Sequence, residues 1–385
     1  MNKSYDVAVI GAGVFGAWTA HYLRQSGASV VLLDAYGPGN SRASSGGETR
    51  VIRMGYGADE LYTRWSMRSL PVWEEFARRT GLKLFHRTGV LWLATEGDTY
   101  TEDVWGVLNR YGIPCERLAG EEVRRRYPQL RFDDVTWAVL EPESGLLMAR
   151  QAVQAVVEDG TRQGVDYLHA EAIAPAGSGK LTEVRSRDGD AIRAGAFAFA
   201  CGPWLKKIFP GLLGDRIFPT RQEVFFLGTP AGSSDFRAPR MPVWLHHRHR
   251  DIPYSLPDVE GRGFKIAFDR HGPEVDPDHE SRVVGPEAVD RLRAFLKEHI
   301  PVLADAPIVE SRVCQYENTW NGDFLIDRHP DHENVWLAGG GSGHGFKHGP
   351  AVGEYLSKLI LEGASAGEPR FSLASKQGSQ RRAVY

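Results

Sequence analysis

The sequence predicts an α/β fold in which a strand-rich α+β domain is inserted into a domain built on a parallel sheet, and three observations predict it. An apolar strand, Asp6 to Ile10, runs into Gly11-Ala12-Gly13-Val14-Phe15-Gly16, then a helix to about Gln25, then a second strand from Val30 to Asp34. A second glycine-rich turn, Gly339 to Lys347, lies near the other end of the chain, between a short buried strand (Val335 to Ala338) and a helix. The stretch 216–320 carries the densest strand signals, so one domain draws on both chain ends and a β-rich domain interrupts it.

The first glycine run is a nucleotide-binding pattern in its proper context. A bare GxGxxG says little, but this one follows a strand, opens a helix and is followed by an acidic strand end 23 residues after Gly11. Gly11 permits the tight turn, Gly13 lets the backbone approach a pyrophosphate, and Gly16 allows close packing of helix on strand. Val14 and Phe15 open the helix whose unpaired N–H groups face the phosphates, and Asp34 is placed to accept hydrogen bonds from a ribose. After Asp34 comes a loop of small residues, Gly37 to Gly47, with Ser44 in it, whose backbone can lie against a ligand.

The elements follow in order. A helix is expected from about Asp59 to Arg79, with Leu61, Trp65, Leu70 and Phe76 on its apolar side. Strands are expected at Gly89 to Ala94, Thr136 to Leu140, Phe197 to Ala200, Glu223 to Leu227, Pro242 to Leu245, Gly263 to Phe268 and Glu310 to Tyr316. Helices are expected near 148–163, 286–298 and 346–362, and the polar tail after Gly363 reads as an irregular strap or a disordered end. The resulting partition places 1–80, 146–215 and 321–385 in the nucleotide domain and 81–145 and 216–320 in the other.

Composition narrows the function. With 46 basic and 49 acidic residues in 385, a formal net charge of −3, the chain lacks the electrostatic footprint of a nucleic-acid or anionic-membrane binder. Cys115, Cys201 and Cys314 are too few and too scattered for a disulfide framework or a zinc site, which points to a reducing compartment. His246-His247-Arg248-His249 invites a metal reading, but strand alternation splits these side chains between faces and no other cluster supplies the remaining ligands. No metal is expected. With only five residues ahead of Asp6 no cleavable leader is expected, and no apolar run approaches the ~20 residues of a membrane span. The expectation is a soluble, cytoplasmic monomer with a small-molecule partner.

The second glycine-rich turn selects the cofactor class. A helix N-terminus beside the far end of a dinucleotide has a purpose for FAD, because the reduced isoalloxazine carries negative charge near N1 and C2=O. For NAD it would have none. Two further residues stay open on pattern alone. Lys265, on the face of Phe264-Lys265-Ile266-Ala267-Phe268-Asp269 that also carries Ala267 and Asp269, is either an edge charge facing water or a cation held over a ligand. Cys314 reads as an inert buried thiol.

The chain resembles the D-amino-acid-oxidase superfamily of FAD enzymes, in its sarcosine-oxidase and N-methyltryptophan-oxidase branch, from about Tyr5 to about Gly363. The resemblance rests on Gly47-Glu48-Thr49-Arg50-Val51-Ile52-Arg53, Glu141-Pro142-Glu143-Ser144-Gly145, Arg221-Gln222, Gly263-Phe264-Lys265, Val313-Cys314-Gln315-Tyr316, Phe324-Leu325-Ile326-Asp327 and Gly343-His344-Gly345-Phe346-Lys347. It implies a Rossmann-like FAD-binding domain with a β-rich substrate domain, and an oxidase that converts a secondary amine to an imine while O2 becomes H2O2. It implies a thioether from Cys314 to the 8α carbon of the flavin, a flavin-contacting Arg50, and Lys265 as the group that promotes reaction with oxygen. Arg53 and Lys347 would hold a substrate carboxylate, and Tyr254 and Tyr316 would orient the substrate, although ordinary strand packing also accounts for the two tyrosines. A dehydrogenase with another electron acceptor and a flavin-binding protein without turnover are the other readings. The family usually has histidines where Gly46 and Asp269 stand. Gly46 is expected to enlarge the space near the cofactor, and Asp269, about 13 Å along a regular strand from Lys265, to face the same site without pairing with it.

Overall fold

The computed structural model describes residues 3–363 and 367–377. Its first sheet has seven strands. Leu325–Arg328, Val335–Gly339, Ala191–Phe199, Ser4–Ile10, Val30–Asp34 and Asp166–His169 lie side by side in that order, and Glu183–Arg185 pairs with Ala191–Phe199. The five strands from Val335–Gly339 to Asp166–His169 are parallel. Val30–Asp34, Val335–Gly339 and the second half of Ser4–Ile10 are near-continuous apolar runs because both faces are covered: Val7 and Val9 join one core, Ala8 and Ile10 another. The helix Val14–Gln25 packs on the first of these faces against the helices Ala149–Arg162 and Gly349–Glu362. The latter approach is close, since a Cβ at Gly353 would stand 2.5 Å from the Trp18 backbone.

The second sheet has eight strands in the order Ile308–Thr319, Ile217–Leu227, Phe264–Phe268, Pro253–Leu256, Val243–Leu245, Val90–Ala94, Trp137–Glu141 and Glu116–Ala119. All neighbours are antiparallel except Val243–Leu245 with Val90–Ala94. Phe264, Ile266 and Phe268 enter the core of this sheet, while Ala267 lies on the opposite face with Val224 and Phe226. The alternation read from the sequence therefore sets the faces. It does not set the neighbours: Lys265 lies on an interior strand between Ile217–Leu227 and Pro253–Leu256, which removes the edge-charge reading.

A third, three-stranded sheet joins Arg50–Ile52, Gly145–Leu147 and Phe85–His86. None of these short strands was legible, nor were Glu116–Ala119, Asp166–His169, Glu183–Arg185, Pro253–Leu256 and Leu325–Arg328, or the helices Thr99–Arg110 and Gly120–Arg126. Strands of two to four residues give too short a window for period 2 to stand out. The helix Glu60–Thr80 begins where its cap predicts, with the Asp59 carboxylate accepting from Leu61 N and Gly81 closing it at φ +71°. The expected helix 346–362 starts later, at Gly349, with Phe346–His348 in a single 3₁₀ turn ahead of it and Pro350 at its first turn. The described part of the tail is a strap. Phe371 is fully buried, and Arg370 bonds both Asp59 and Asp323. Residues 364–366 and 378–385, the rest of that expectation, lie outside the described residues.

Candidate active site

The carboxyl ends of the parallel strands open onto a cavity of about 500 Å³, lined there by Ile10, Asp34, Ala200 and Ala338, and on its other wall by Cys314 to Glu317 of the second sheet. The three glycines of the first loop meet three different surroundings. Gly11 has φ +104°, and a Cβ there would lie 2.3 Å from Ala200 O; a Cβ at Gly16 would lie 1.8 Å from Gly11 O. At Gly13 the nearest atom is Ser45 Oγ at 3.8 Å, so its backbone is open to the cavity. Asp34 lines the cavity too, while accepting from the amides of Ala12 (2.7 Å), Tyr36 and Gly37 (both 2.8 Å). Burial raises its pKa, and those amides oppose the rise. An open glycine backbone at a helix N-terminus beside a carboxylate suits the pyrophosphate and ribose of a dinucleotide.

The two glycine-rich loops meet through a side chain. A Cβ at Gly345 would stand 3.0 Å from Phe15 Cζ, and the Phe15 ring packs edge-on against Phe324. Gly343, at φ +78°, and Phe346 line the cavity with Gly345, whereas His344 turns inward, its Nε2 3.0 Å from Gly322 O. Lys347 is 2% exposed, so it is not a solvated lysine of a helix first turn. Its Nζ donates to Tyr56 Oη (2.7 Å) and His344 O (2.9 Å). The Tyr56 oxygen that accepts from Lys347 also lies 2.7 Å from His348 Nε2 and 3.3 Å from His344 Nδ1. Burial drives the His348 pKa well down, which favours the neutral ring.

Arg53 is brought to Lys347 from the far end of the chain. Its guanidinium lies 4.3 Å over Tyr56 and 4.7 Å over Trp92, with Nη1 donating to Gly55 O. Glu141 fixes this segment, accepting from Met54 N (2.7 Å), Gly55 N (3.0 Å), Trp92 Nε1 (2.7 Å) and Ser144 Oγ (2.6 Å). Burial foremost, and then Arg53, pushes the Lys347 pKa far below its usual value, with Asp269 and Glu141 pulling it back. Two cations thus share one buried region. Tyr316 donates to Asp269 Oδ1 at 2.6 Å, and Tyr254 lies against Tyr316. Burial lifts Asp269 to about 6 against the pull of Tyr316, Arg53 and Lys347.

A second group of side chains gathers at Cys314. Arg50 donates to Ser44 O (2.7 Å), Thr49 O (2.9 Å) and Gly47 O (3.1 Å), and its Nη2 lies 3.6 Å from Cys314 Sγ. Ser44 Oγ in turn donates to Gln315 O at 2.8 Å, tying the small-residue loop to the strand of Cys314. Lys265, 2% exposed, donates to Thr49 O and lines a separate space of about 20 Å³ with Arg50, Arg312 and Cys314. Burial and Arg50 hold its pKa well below the usual lysine range. Gly46 adds no room to the main cavity. A Cβ there would stand 1.8 Å from Asn40 O, and Arg150 caps its carbonyl, so the glycine marks a tight turn. His246 and His247 turn to different partners, Asp134 (3.1 Å) and Asp98 (3.0 Å). Sequence reasoning missed Tyr56, His348 and Glu317, and saw Glu141 only as part of a motif. The signal for Tyr56 was its place three residues after Arg53.

A profile of the DAO family, the FAD dependent oxidoreductases, matches residues 6–359. The chain is 32% identical over 370 residues to monomeric sarcosine oxidase from Bacillus sp. (strain B-0618), covering 94% of each chain. It is 28% identical over 353 residues to N-methyl-L-tryptophan oxidase from Yersinia pestis (strain Pestoides F), covering 91% of this chain and 93% of that one. The crystal structure of L-proline dehydrogenase from P. horikoshii shares the fold, with TM-score 0.84 and 22% identity over 97% of this chain and 98% of that one.

The raised pKa of Asp269 has a sign that can be measured. Its folded value of about 6 exceeds the 3.8 of a free carboxyl, so the stability it contributes is full below about pH 4 and is lost as pH rises through about 6. A shift of that size corresponds to about 3 kcal/mol. Asp269→Asn, which keeps an acceptor for Tyr316, is expected to match the parent near pH 4 and to exceed it by about 1–3 kcal/mol at pH 7.5 in urea denaturation. An equal difference at both pH values would contradict this.

Proposed function

The chain belongs to the DAO family of FAD dependent oxidoreductases, and on that premise we propose that it is an oxidase of a secondary amine bearing a carboxylate, an N-methyl or cyclic amino acid. The amine loses two electrons and two protons to become an imine, which water hydrolyses, and O2 takes up the equivalent to become H2O2. The observation that carries the reading is the meeting of Arg53 and Lys347. The two side chains are 294 residues apart in sequence, and burial together with Arg53 disfavours the ammonium form of Lys347 in the way a bound carboxylate would relieve.

The roles divide by position. Gly11, Gly13, Val14, Phe15, Gly16, Asp34 and Ser44 would hold the dinucleotide at one end, and Arg50, Cys314 and Gly343 to Lys347 at the other. Bound FAD supplies the two-electron acceptor. Arg53 binds the substrate carboxylate as a fork and Lys347 as a point charge, with Glu141 and Tyr56 keeping each in place. Tyr254, Tyr316 and Asp269 border the substrate's amine, where a carboxyl titrating at about 6 can take its proton and leave the neutral amine that oxidation requires. Lys265, whose ammonium form burial disfavours, regains its proton where negative charge develops on oxygen. The reading places the cofactor on 1–80, 146–215 and 321–385, the substrate on 81–145 and 216–320, and the whole as a cytoplasmic monomer.

Peroxide-coupled assay over sarcosine, N-methyltryptophan, proline and pipecolate is expected to find at least one substrate whose amide is poor. Losing a charge-assisted contact in a desolvated site costs on the order of 2–5 kcal/mol, so Arg53→Ala and Lys347→Ala should each raise KM at least thirtyfold. Unchanged KM in both variants would dispose of the clamp.

Lys265→Met separates the half-reactions. Anaerobic bleaching by substrate is expected within tenfold of the parent, and reoxidation by O2 slowed at least a hundredfold. Normal reoxidation in stopped flow would refute the role of Lys265.

Covalent attachment through Cys314 is the remaining expectation. Thioether formation removes the thiol proton and one hydrogen of the 8α carbon, with two electrons ending on O2. After acid precipitation, mass spectrometry should find flavin on the Cys314 peptide, and Cys314→Ala should release all its flavin to the supernatant. Complete release from the parent as well would rule attachment out.

A further inference from the structure

Glu317 is a buried acid that no step above uses. It is 7% exposed, it lines the main cavity, and its Oε1 makes no hydrogen bond among the described residues. The strand Ile308–Thr319 carries it two residues past Gln315 and directly after Tyr316, on the floor where the second glycine-rich loop crosses. That crossing is tight. Ser342 N donates to Glu317 O at 2.8 Å, and a Cβ at Gly339 would stand 2.5 Å from Glu317 Oε1. The same strand brings Cys314 and Tyr316 to the cavity, and Glu317 acts electrostatically on Cys201, whose backbone adjoins Gly11. The amides of Gly340 and Gly341 reach this carboxyl, while its Oε1 is left without a hydrogen-bond partner among the described residues, a partner that a bound ligand can supply to a buried polar atom.

We propose that Glu317 is a ligand of the bound dinucleotide, donating a hydrogen bond as the neutral acid to an oxygen of its polyol–pyrophosphate stretch, so that holding FAD means holding a proton. The inference rests on the cofactor reading of the cavity. Burial lifts the Glu317 pKa to about 8, with the amides of Gly340 and Gly341 pulling the other way. The titratable group facing it is the Cys201 thiol, which burial, Asp34 and Glu317 together push well above the usual thiol range, so it stays protonated. The single negative charge on each phosphate of the pyrophosphate can only strengthen the preference for the neutral acid. An ionised Glu317 would present a negative charge to a negative ligand. The consequence is linkage: affinity for FAD falls as pH rises through about 8, because the free protein releases a proton that the complex must keep.

The test uses the full chain carrying Cys314→Ala, loaded with FAD, so that flavin exchanges freely, and reads the dissociation constant by equilibrium dialysis between pH 6.5 and 9.5. The expected result is a constant value to about pH 7.5 and a rise of at least tenfold by pH 9.5. Adding Glu317→Gln, which keeps the shape and an N–H donor but does not titrate, should give a pH-independent constant within threefold of the low-pH parent. Adding Glu317→Ala should weaken binding about tenfold or more at pH 6.5, with circular dichroism reporting whether the chain is folded. A parallel rise with pH in the Glu317→Gln protein, or unchanged affinity in a folded Glu317→Ala protein, would overturn the proposal. Failure of the Cys314→Ala chain to hold FAD at any pH would overturn the cavity reading and this inference together. FAD binding without amine oxidation would count against the proposed substrate alone and leave the pH test intact.

Discussion

The site depends on one steric constraint, the passage of the second glycine-rich loop directly over the strand Ile308–Thr319. At Gly339 and Gly340 there is no room for a side chain. A Cβ at Gly339 would meet Glu317 at 2.5 Å, and one at Gly340 would meet the Thr319 side chain at 2.6 Å. Backbone closeness of this kind lets Ser342 N bond Glu317 O, and it presses the wall of the second sheet onto the carboxyl ends of the first. Cys314, Tyr316 and Glu317 reach the same cavity as Gly13 and Asp34 because of it. The contact of Phe15 with Gly345 closes the arrangement from the other side.

Around this seam the protein buries charge that it does not neutralise. Lys265 and Lys347 are held well below the usual lysine range, while Asp269 and Glu317 are held well above the usual carboxyl range, each chiefly by burial. All four are displaced toward their neutral forms, the pattern expected where a ligand rather than the chain is to supply the compensating charge or hydrogen bond. Glu141 is the contrast. It is as deeply buried, yet four donors converge on its two oxygens, and it serves to hold the backbone at Met54 and Gly55. Glu141 thus has its oxygens filled by donors of the chain, whereas Oε1 of Glu317 has no partner among the described residues.

The position of Arg53 and Lys347 illustrates how such a site is assembled from distant parts. Arg53 follows a three-stranded sheet whose members, Arg50–Ile52, Phe85–His86 and Gly145–Leu147, come from three stretches of chain. Lys347 is carried by a 3₁₀ turn ahead of the helix Gly349–Glu362, and that helix is fixed against Val14–Gln25. Tyr56 spans the two, stacking under the Arg53 guanidinium while accepting from Lys347. The strap that ends the described chain buttresses this corner through Arg370, which bonds the Asp323 that also accepts from Tyr62, and Tyr62 packs on Tyr56.

The sequence by itself determined the parallel nucleotide unit, because strand, glycine turn, helix and acidic strand end are contiguous and each glycine has a local reason. It also determined the faces of the long strands, since period 2 places Phe264, Ile266 and Phe268 together whatever lies beside them. What a strand pairs with is not local, and only the tertiary structure made Lys265 an interior residue rather than an edge charge. The same holds for Gly46. The family's usual histidine at this position suggested added space, but the direction its missing side chain would take is filled by Asn40, so the glycine serves a turn. The roles of Glu141 and Glu317 were equally out of reach of pattern, since both are buried acids next to motif residues and differ in the number of donors brought to them. That number is a property of three-dimensional packing between segments far apart in the chain, which no window of sequence contains.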